Sequence, residues 1–119
     1  NNTLMATVTE VRDGMAAVDY GHGVSGHALA VNCGGAGSQT TLSIRPERVR
    51  IGGEAGHNAI PARVLELIYL GDHIRCRLDV LGNDQFIVKI PNAAGVKHLV
   101  VGESTQVNWN NDDCRALDA

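Results

Sequence analysis

Five histidines, three cysteines, a glycine-rich loop and a short acidic cluster are the residues of this chain whose types could do chemistry. Gly21-His22-Gly23-Val24-Ser25-Gly26 spells G-x-G-x-x-G directly after a predicted strand. That spacing holds a dinucleotide pyrophosphate only when the last glycine opens a helix, whose N-terminal amides face the phosphates. Ala28-Leu29-Ala30-Val31 reaches Gly34-Gly35 too soon for such a helix, so the segment predicts a hairpin turn instead. His22 and His27 form the closest histidine pair, but their spacing does not converge two imidazoles on a metal at about 2 Å. With His57, His73 and His98 they are expected to be exposed loop histidines, most of them beside glycine or asparagine.

Cys33, Cys76 and Cys114 are odd in number, widely spaced and outside any Cys-x-x-Cys pair. They predict neither a disulfide framework nor a zinc site, which suits a reducing cytosol. Asp112, Asp113 and Asp118 could offer oxygen to a hard cation, but the EF-hand pattern is missing and a solvated tail is expected. Ser25, Ser38 and Ser104 stand outside any Gly-x-Ser-x-Gly elbow. Lys89 and Lys97 are the only lysines, and no Walker-type loop precedes either, so this chain is not expected to hydrolyse ATP. The expectation is therefore no catalytic residue, no metal and no cofactor within these residues.

The elements that would position any site are short runs of period-two alternation broken by glycine. Leu4, Ala6 and Val8 face one way; Met5, Thr7 and Thr9 face the other. Arg12-Asp13-Gly14 predicts a hairpin into residues 15–20, with a third strand over 24–31 and a flexible glycine loop over 33–38. Short strands over 40–44 and 48–51 flank Pro46, and a second glycine-rich turn follows. Residues 59–70 read as one long strand with a bulge, Gly71-Asp72 as a turn, and Ile74, Cys76, Leu78 and Val80 as one face of the next strand. Gly82-Asn83-Asp84 turns into Phe86, Val88 and Ile90, a strand ended by Pro91-Asn92. Residues 93–101 read as either a helical turn or a loop, 105–109 as a strand, and 112–117 as a last short strand or a frayed tail. This pattern predicts an all-β chain, an antiparallel barrel or sandwich.

At 119 residues and 44% hydrophobic content the chain suffices for one domain over 1–119, or two small β lobes, 1–52 and 57–119, sharing a core. No run approaches the roughly 18 apolar residues of a spanning helix. The start at Asn1-Asn2-Thr3, without Met or a signal-like core, predicts a piece of a longer protein; the sequon it spells carries little weight. A net charge of −3 and only Tyr20, Tyr69, Phe86 and Trp109 as aromatics oppose a nucleic-acid partner. Arg45, Glu47, Arg48 and Arg50 form the densest charged cluster. Either they are a solvated strand edge, or, with Pro46 fixing the backbone, a charge pair that joins two lobes or docks a partner domain.

Several short segments, in order, resemble a known family: Asn2-x-Leu4-x-Ala6-x-Val8, Ser43-Ile44-Arg45-Pro46-Glu47, Ala62-x-Val64 through Tyr69-Leu70-Gly71, Val101-Gly102-Glu103 with Val107-Asn108-Trp109, and Arg115-Ala116-Leu117-Asp118. Together they resemble the C-terminal accessory domain, often called TOBE, of an ABC importer's ATP-binding subunit. Ala6 stands where that family commonly has glycine. The resemblance implies an OB-fold-like barrel of two small intertwined β lobes with a regulatory and dimerisation role. It implies that a nucleotide-binding domain, absent here, precedes Asn1 in the parent and carries ATP and Mg. The implied partners are that domain, a second copy of the ATPase subunit and transmembrane permease subunits, on the cytoplasmic side, peripheral at the inner face of the membrane. Lys89-Ile90-Pro91-Asn92 and Trp109-x-x-Asp112 are most similar to polyamine (spermidine/putrescine) importers. Arg45, Pro46, Glu47, Arg48, Tyr69 and Gly71 are the candidate structural or interface residues.

The alternative expectation is a small-ligand barrel for an oxyanion, held by Ser38, Thr40, Thr41 and Arg45. An oligonucleotide-binding role rests on fold analogy alone, and the acidic charge opposes it.

Overall fold

Leu4, Ala6 and Val8 are all buried while Met5 between them is exposed, so the alternation seen in the sequence is the alternation of a pleated strand. The computed structural model describes residues 1–52, 59–91 and 99–117. It contains ten strands: β1 (Asn2–Arg12), β2 (Met15–Gly21), β3 (Val24–Asn32), β4 (Gln39–Ile44), β5 (Arg50–Ile51), β6 (Ile60–Tyr69), β7 (His73–Val80), β8 (Asn83–Pro91), β9 (Ser104–Asn108) and β10 (Cys114–Leu117). Two single 3-10 turns, Pro46–Arg48 and Asn111–Asp113, are the helical elements among the described residues, and no helix there is long and apolar enough to cross a membrane.

Strands β1-β2-β3-β10-β4 close into a barrel, and β5-β9-β6-β7-β8 form a second sheet in that order. The chain crosses between them twice, once through Pro46–Arg48 on the way to β5 and once through Asn111–Asp113 on the way to β10. β10 lies between β3 and β4, parallel to the first and antiparallel to the second. Neither sheet can therefore form from one half of the chain alone. Residues 112–117 are not a frayed tail: Cys114 and Ala116 are buried, and Arg115 pairs with Ser43 in the ladder.

The turns follow from backbone sterics. Asp13-Gly14, His22-Gly23 and Leu81-Gly82 each place two residues at positive φ between strand partners Arg12↔Met15, Gly21↔Val24 and Val80↔Asn83. That conformation matches the right-handed twist of the flanking strands, so it closes two-residue hairpins. His22-Gly23 lies inside the G-x-G-x-x-G segment, and Gly26 is part of β3 opposite Val18. The glycines thus build a hairpin.

Register shifts interrupt five of the ladders, and two of them bend long strands. One breaks register between Val8 and Glu10, where β1 changes partner from β4 to β2. The other falls between Val64 and Glu66 of β6. An extra residue sharpens twist, which a small closed barrel requires. The loop over 33–38, expected to be flexible, is anchored at the first bulge: Val8 N–H donates to Ser38 O at 2.8 Å and Gly37 N–H to Val8 O at 2.7 Å.

One continuous core spans both sheets. The barrel interior combines the small Ala6, Ala16, Ala28 and Ala116 with Val8, Val18, Leu42 and Ile44, since five strands enclose little space. The two largest fully buried side chains, Trp109 and Phe86, stack with ring centroids 6.0 Å apart. Besides Thr40, Asn2 is the buried polar residue among those described. Its amide nitrogen donates to Ile87 O at 2.6 Å, and its amide oxygen accepts from Ile87 N–H at 2.7 Å. A barrel side chain thereby satisfies the backbone of β8 in the other sheet, as another strand would.

Candidate functional site

Arg45 follows β4 in an extended conformation (φ −74, ψ 139), as the residue before proline is driven to adopt. Pro46 opens the 3-10 turn, and Arg48 N–H donates to Arg45 O at 3.0 Å. Arg48 is therefore in a turn rather than in the strand expected over 48–51, of which only Arg50–Ile51 is extended and paired. The proline's fixed φ and the 3-10 bond hold the chain out of the ladder there.

This corner ties the two crossovers together. Arg48 Nε approaches Asp113 Oδ1 at 3.8 Å, from the first crossover to the second. Arg50 donates to Asn108 Oδ1 and Asn110 Oδ1, each at 3.0 Å. The ion pair is half exposed, so its contribution is small, about 0.2–1 kcal/mol. Asp112 and Asp113, expected in a solvated tail, lie in the 3-10 turn that feeds β10.

Ladder register gathers further side chains at the corner. Asn2 pairs with Ile44, placing Asn1 beside Arg45, and Arg115 stands directly opposite Ser43. Ser43, Arg45, Arg48, Arg115, Asp112 and Asp113 line one cavity of about 160 Å³, with Asn1 Nδ2 donating to Ser43 Oγ at 3.2 Å. The sequence gives no sign of Arg115 at this corner and reads Asp113 as solvated tail, because β10, which follows the turn holding Asp113, meets β4 some seventy positions away in the chain. Only the Ser43-x-Arg45 alternation, which puts both on one face, signalled part of the set. Glu47 is on the other side of the same turn, at the rim of a groove of about 350 Å³ floored by Val49, Ile51, Ile90 and Leu99.

Tyr69 and Gly71 are elsewhere, at the β6–β7 hairpin, and do not line the corner cavity. Tyr69 is 61% exposed and Gly71 has φ +83, the left-handed value that glycine adopts without strain. Ser38, Thr40, Thr41 and Arg45 do not converge. Thr40 points inward and donates to Leu117 O, Thr41 points outward to Met5 Sδ, and the whole of β4 separates Ser38 from Arg45. Successive strand residues face opposite sides of a sheet, which forbids a shared ligand for Thr40 and Thr41.

Of the histidines, His22 is in a turn, but His27 and His73 stand on strands, because two-residue turns leave little loop for them to occupy. His73 Nδ1 lies 2.8 Å from Asp72 Oδ1, and this bond lowers the Asp72 carboxyl below its ordinary value. His57, His98 and Asp118 lie outside the described residues, as do most of the residues over 93–101.

The buried titratable groups are held neutral. Burial pushes the Cys114 thiol up to about 12, against hydrogen bonds with Trp109 and Tyr20 that act the other way. Burial, then the neighbouring Cys114, raises the Tyr20 hydroxyl as well. Cys76 is pushed up to about 11 by burial and by Glu103. A thiol is nucleophilic as the thiolate, so neither buried cysteine is activated at neutral pH.

Comparison with known proteins then bears on identity. A family model described as the TOBE domain matches residues 42–117. The spermidine/putrescine import ATP-binding protein PotA of Pseudomonas fluorescens is 36% identical over 95 residues, covering 77% of this chain and 25% of that protein. PotA of Rubrobacter xylanophilus is 30% identical over 118 residues, covering 98% of this chain and 31% of that protein. The chain thus spans a quarter to a third of the length of the curated relatives it matches. Among solved structures, the molybdate-bound form of the cytoplasmic molybdate-binding protein ModG superposes with a TM-score of 0.81, covering 100% of this chain and 96% of that one at 14% identity. At that identity the likeness concerns the fold, an OB-fold-like architecture.

Proposed function

The chain belongs to the TOBE domain family, and from that premise we propose that it is the regulatory and dimerisation domain of the ATP-binding subunit of an ABC importer for polyamines. The observation that carries this reading is the similarity to two PotA proteins, one of them along 98% of the chain. No catalysis takes place in these residues. A nucleotide-binding domain of the same parent chain holds ATP and Mg, and the parent pairs with a second copy of itself and with transmembrane permease subunits. It works in the cytoplasm, at the inner face of the membrane.

The domain acts by contact differences. Contacts made better in the closed ATPase dimer than in the open one favour closure, and only that difference counts. About 1.4 kcal/mol of difference shifts the open-to-closed ratio tenfold. A rigid module transmits such differences well, and the doubly crossed chain, with Pro46, the Arg48–Asp113 pair and the Asn2 clamp at its junction, supports rigidity. Arg45, Pro46, Glu47 and Arg48 form the corner between sheets, while the exposed Tyr69 beside Gly71 is a contact for the parent's other parts.

Deleting residues 1–119 from the full-length parent should leave basal ATPase activity and abolish coupling or regulation of spermidine uptake. Unchanged uptake and regulation after deletion, a parent without a Walker-type loop, or ATP hydrolysis by this chain alone would each defeat the reading. Uptake of labelled spermidine against a sugar and ferric iron tests the cargo.

A further inference from the structure

The Asn2 side chain holds the edge of β8 at Ile87 as a further strand would, accepting from its N–H and donating to its C=O. Successive residues of an antiparallel strand turn these groups to opposite sides. The register with β7 runs unbroken from Arg77↔Ile87 to Arg75↔Lys89, so Lys89 also turns its N–H and C=O away from β7. Among the described residues none bonds them. Across the groove floored by Val49, Ile51, Ile90 and Leu99 stands β5. Gly52 N–H donates to Gln106 O at 2.8 Å, so Ile51, one position earlier, turns its own N–H and C=O away from β9 and towards the groove. The first sheet closes into a barrel, whereas the second ends in two edges, β5 and β8, on either side of an apolar groove of about 350 Å³.

Charge decides which segment fits. Arg75 and Lys89 are directly opposed on neighbouring strands, both are exposed, and neither side chain has an ion pair or hydrogen bond among the described residues. Like charges opposed in this way destabilise a sheet unless something neutralises them. Arg50, also at the groove, is taken up by Asn108 and Asn110, while Glu47 is the rim charge that opposes an acidic ligand. A residue added opposite Lys89 shares the face of Lys89 and Arg75, and the residues before and after it point into the groove. We propose that this groove is a β-strand acceptor for an extended segment of a partner protein that carries one carboxylate between two apolar residues. The carboxylate neutralises Lys89 and Arg75, the apolar pair covers the groove floor, and the backbone bonds Lys89, as in other edge-strand recognition. β5 is two residues long and paired with β9 alone among the described residues, so it is the strand that yields to make room. The site does not depend on the proposed role in an importer, so either can fail alone.

The test titrates this chain at low ionic strength with a blocked peptide, acetyl-Thr-Val-Glu-Val-Thr-amide, followed by backbone NMR and amide hydrogen exchange. Saturable shifts at residues 51 and 89 are expected, with slower exchange of the Lys89 amide. Lysine in place of the peptide's glutamate should weaken binding about fivefold or more, the upper scale of an exposed ion pair. N-methylation of that glutamate removes the N–H that faces Lys89 O and should abolish binding, which a contact through charge and apolar surface alone would survive. Lys89→Glu changes an exposed side chain, so it should keep the fold and erase the preference for glutamate over lysine. Arg63→Glu makes the same change of charge away from the groove and should leave that preference intact. Absence of saturable shifts, or binding indifferent to both N-methylation and Lys89→Glu, overturns the proposal. So does a dimer of this chain that excludes the peptide, which gives the groove to a second copy, or oligouridylate displacing the peptide from residues 51 and 89.

Discussion

Replacing Asn2 by leucine removes both hydrogen bonds that the barrel makes to the backbone of Ile87, at 2.6 and 2.7 Å. Asn2 is only 3% exposed, so leucine is close in size and the loss is polar rather than steric. Leaving a buried donor or acceptor unpaired costs about 1–3 kcal/mol each. Ile87 is half-buried, and water can recover part of that, so the expected loss is about 2–4 kcal/mol. Domains of this size hold roughly 5–15 kcal/mol in total, so the effect is large. At about 4 °C per kcal/mol, the melting temperature should fall by roughly 8–16 °C. The assay is urea and thermal unfolding followed by tryptophan fluorescence, since Trp109 is the sole tryptophan and fully buried. Asn2→Asp offers an internal control. Its carboxylate still accepts from Ile87 N–H but opposes Ile87 O, so it should be at least as unstable at neutral pH. Burial raises that carboxyl's folded pKa, so the variant should regain stability as the pH falls and the protonated group donates again. A loss below about 0.5 kcal/mol for Asn2→Leu would refute the clamp, because it would mean that β8 needs no partner there.

Further outcomes follow from the same geometry. A double-mutant cycle on Arg48→Ala and Asp113→Ala should give a coupling under about 1 kcal/mol, shrinking in high salt; a coupling above about 3 kcal/mol would show the pair to be buried in solution. Gly71→Ala meets open space but must hold φ +83, so it should destabilise by about 1–2 kcal/mol, measured by urea unfolding. The thiols of Cys76 and Cys114 have folded pKa values raised to about 11 and about 12. Groups raised in this way contribute stability fully below their unfolded pKa and lose it as the pH rises through the folded value. Unfolding midpoints should therefore decline from about pH 9 upward, less in Cys114→Ala. In the native state at neutral pH, a thiol reagent should modify the half-buried Cys33 before either buried cysteine.

The residues that could be read from the sequence are those whose signal is local. Alternation at Leu4-Ala6-Val8 and Cys76-Leu78-Val80, and glycine at Asp13-Gly14 and Gly82, predict strands and hairpins because pleat and φ are properties of neighbouring residues. The bulge expected within 59–70 falls at Val64/Glu66. The glycine loop over 33–38 looked free because its bonds to Val8 are invisible in a local window. The β10 strand was ambiguous for the same reason: four residues carry too little periodicity to be distinguished from a tail.

By itself, the order of residues determined an all-β chain, the positions of its turns, the extended Arg45 before Pro46 and the lack of any motif for catalysis. Tertiary structure alone decided that β10 returns to the first barrel, that Asn2 spans to Ile87, and that Ser43, Arg45 and Arg115 meet around one cavity. Pleat and turn geometry depend on interactions within a few residues, whereas strand pairing between distant segments is selected by the burial of a shared core, which no short stretch of sequence encodes.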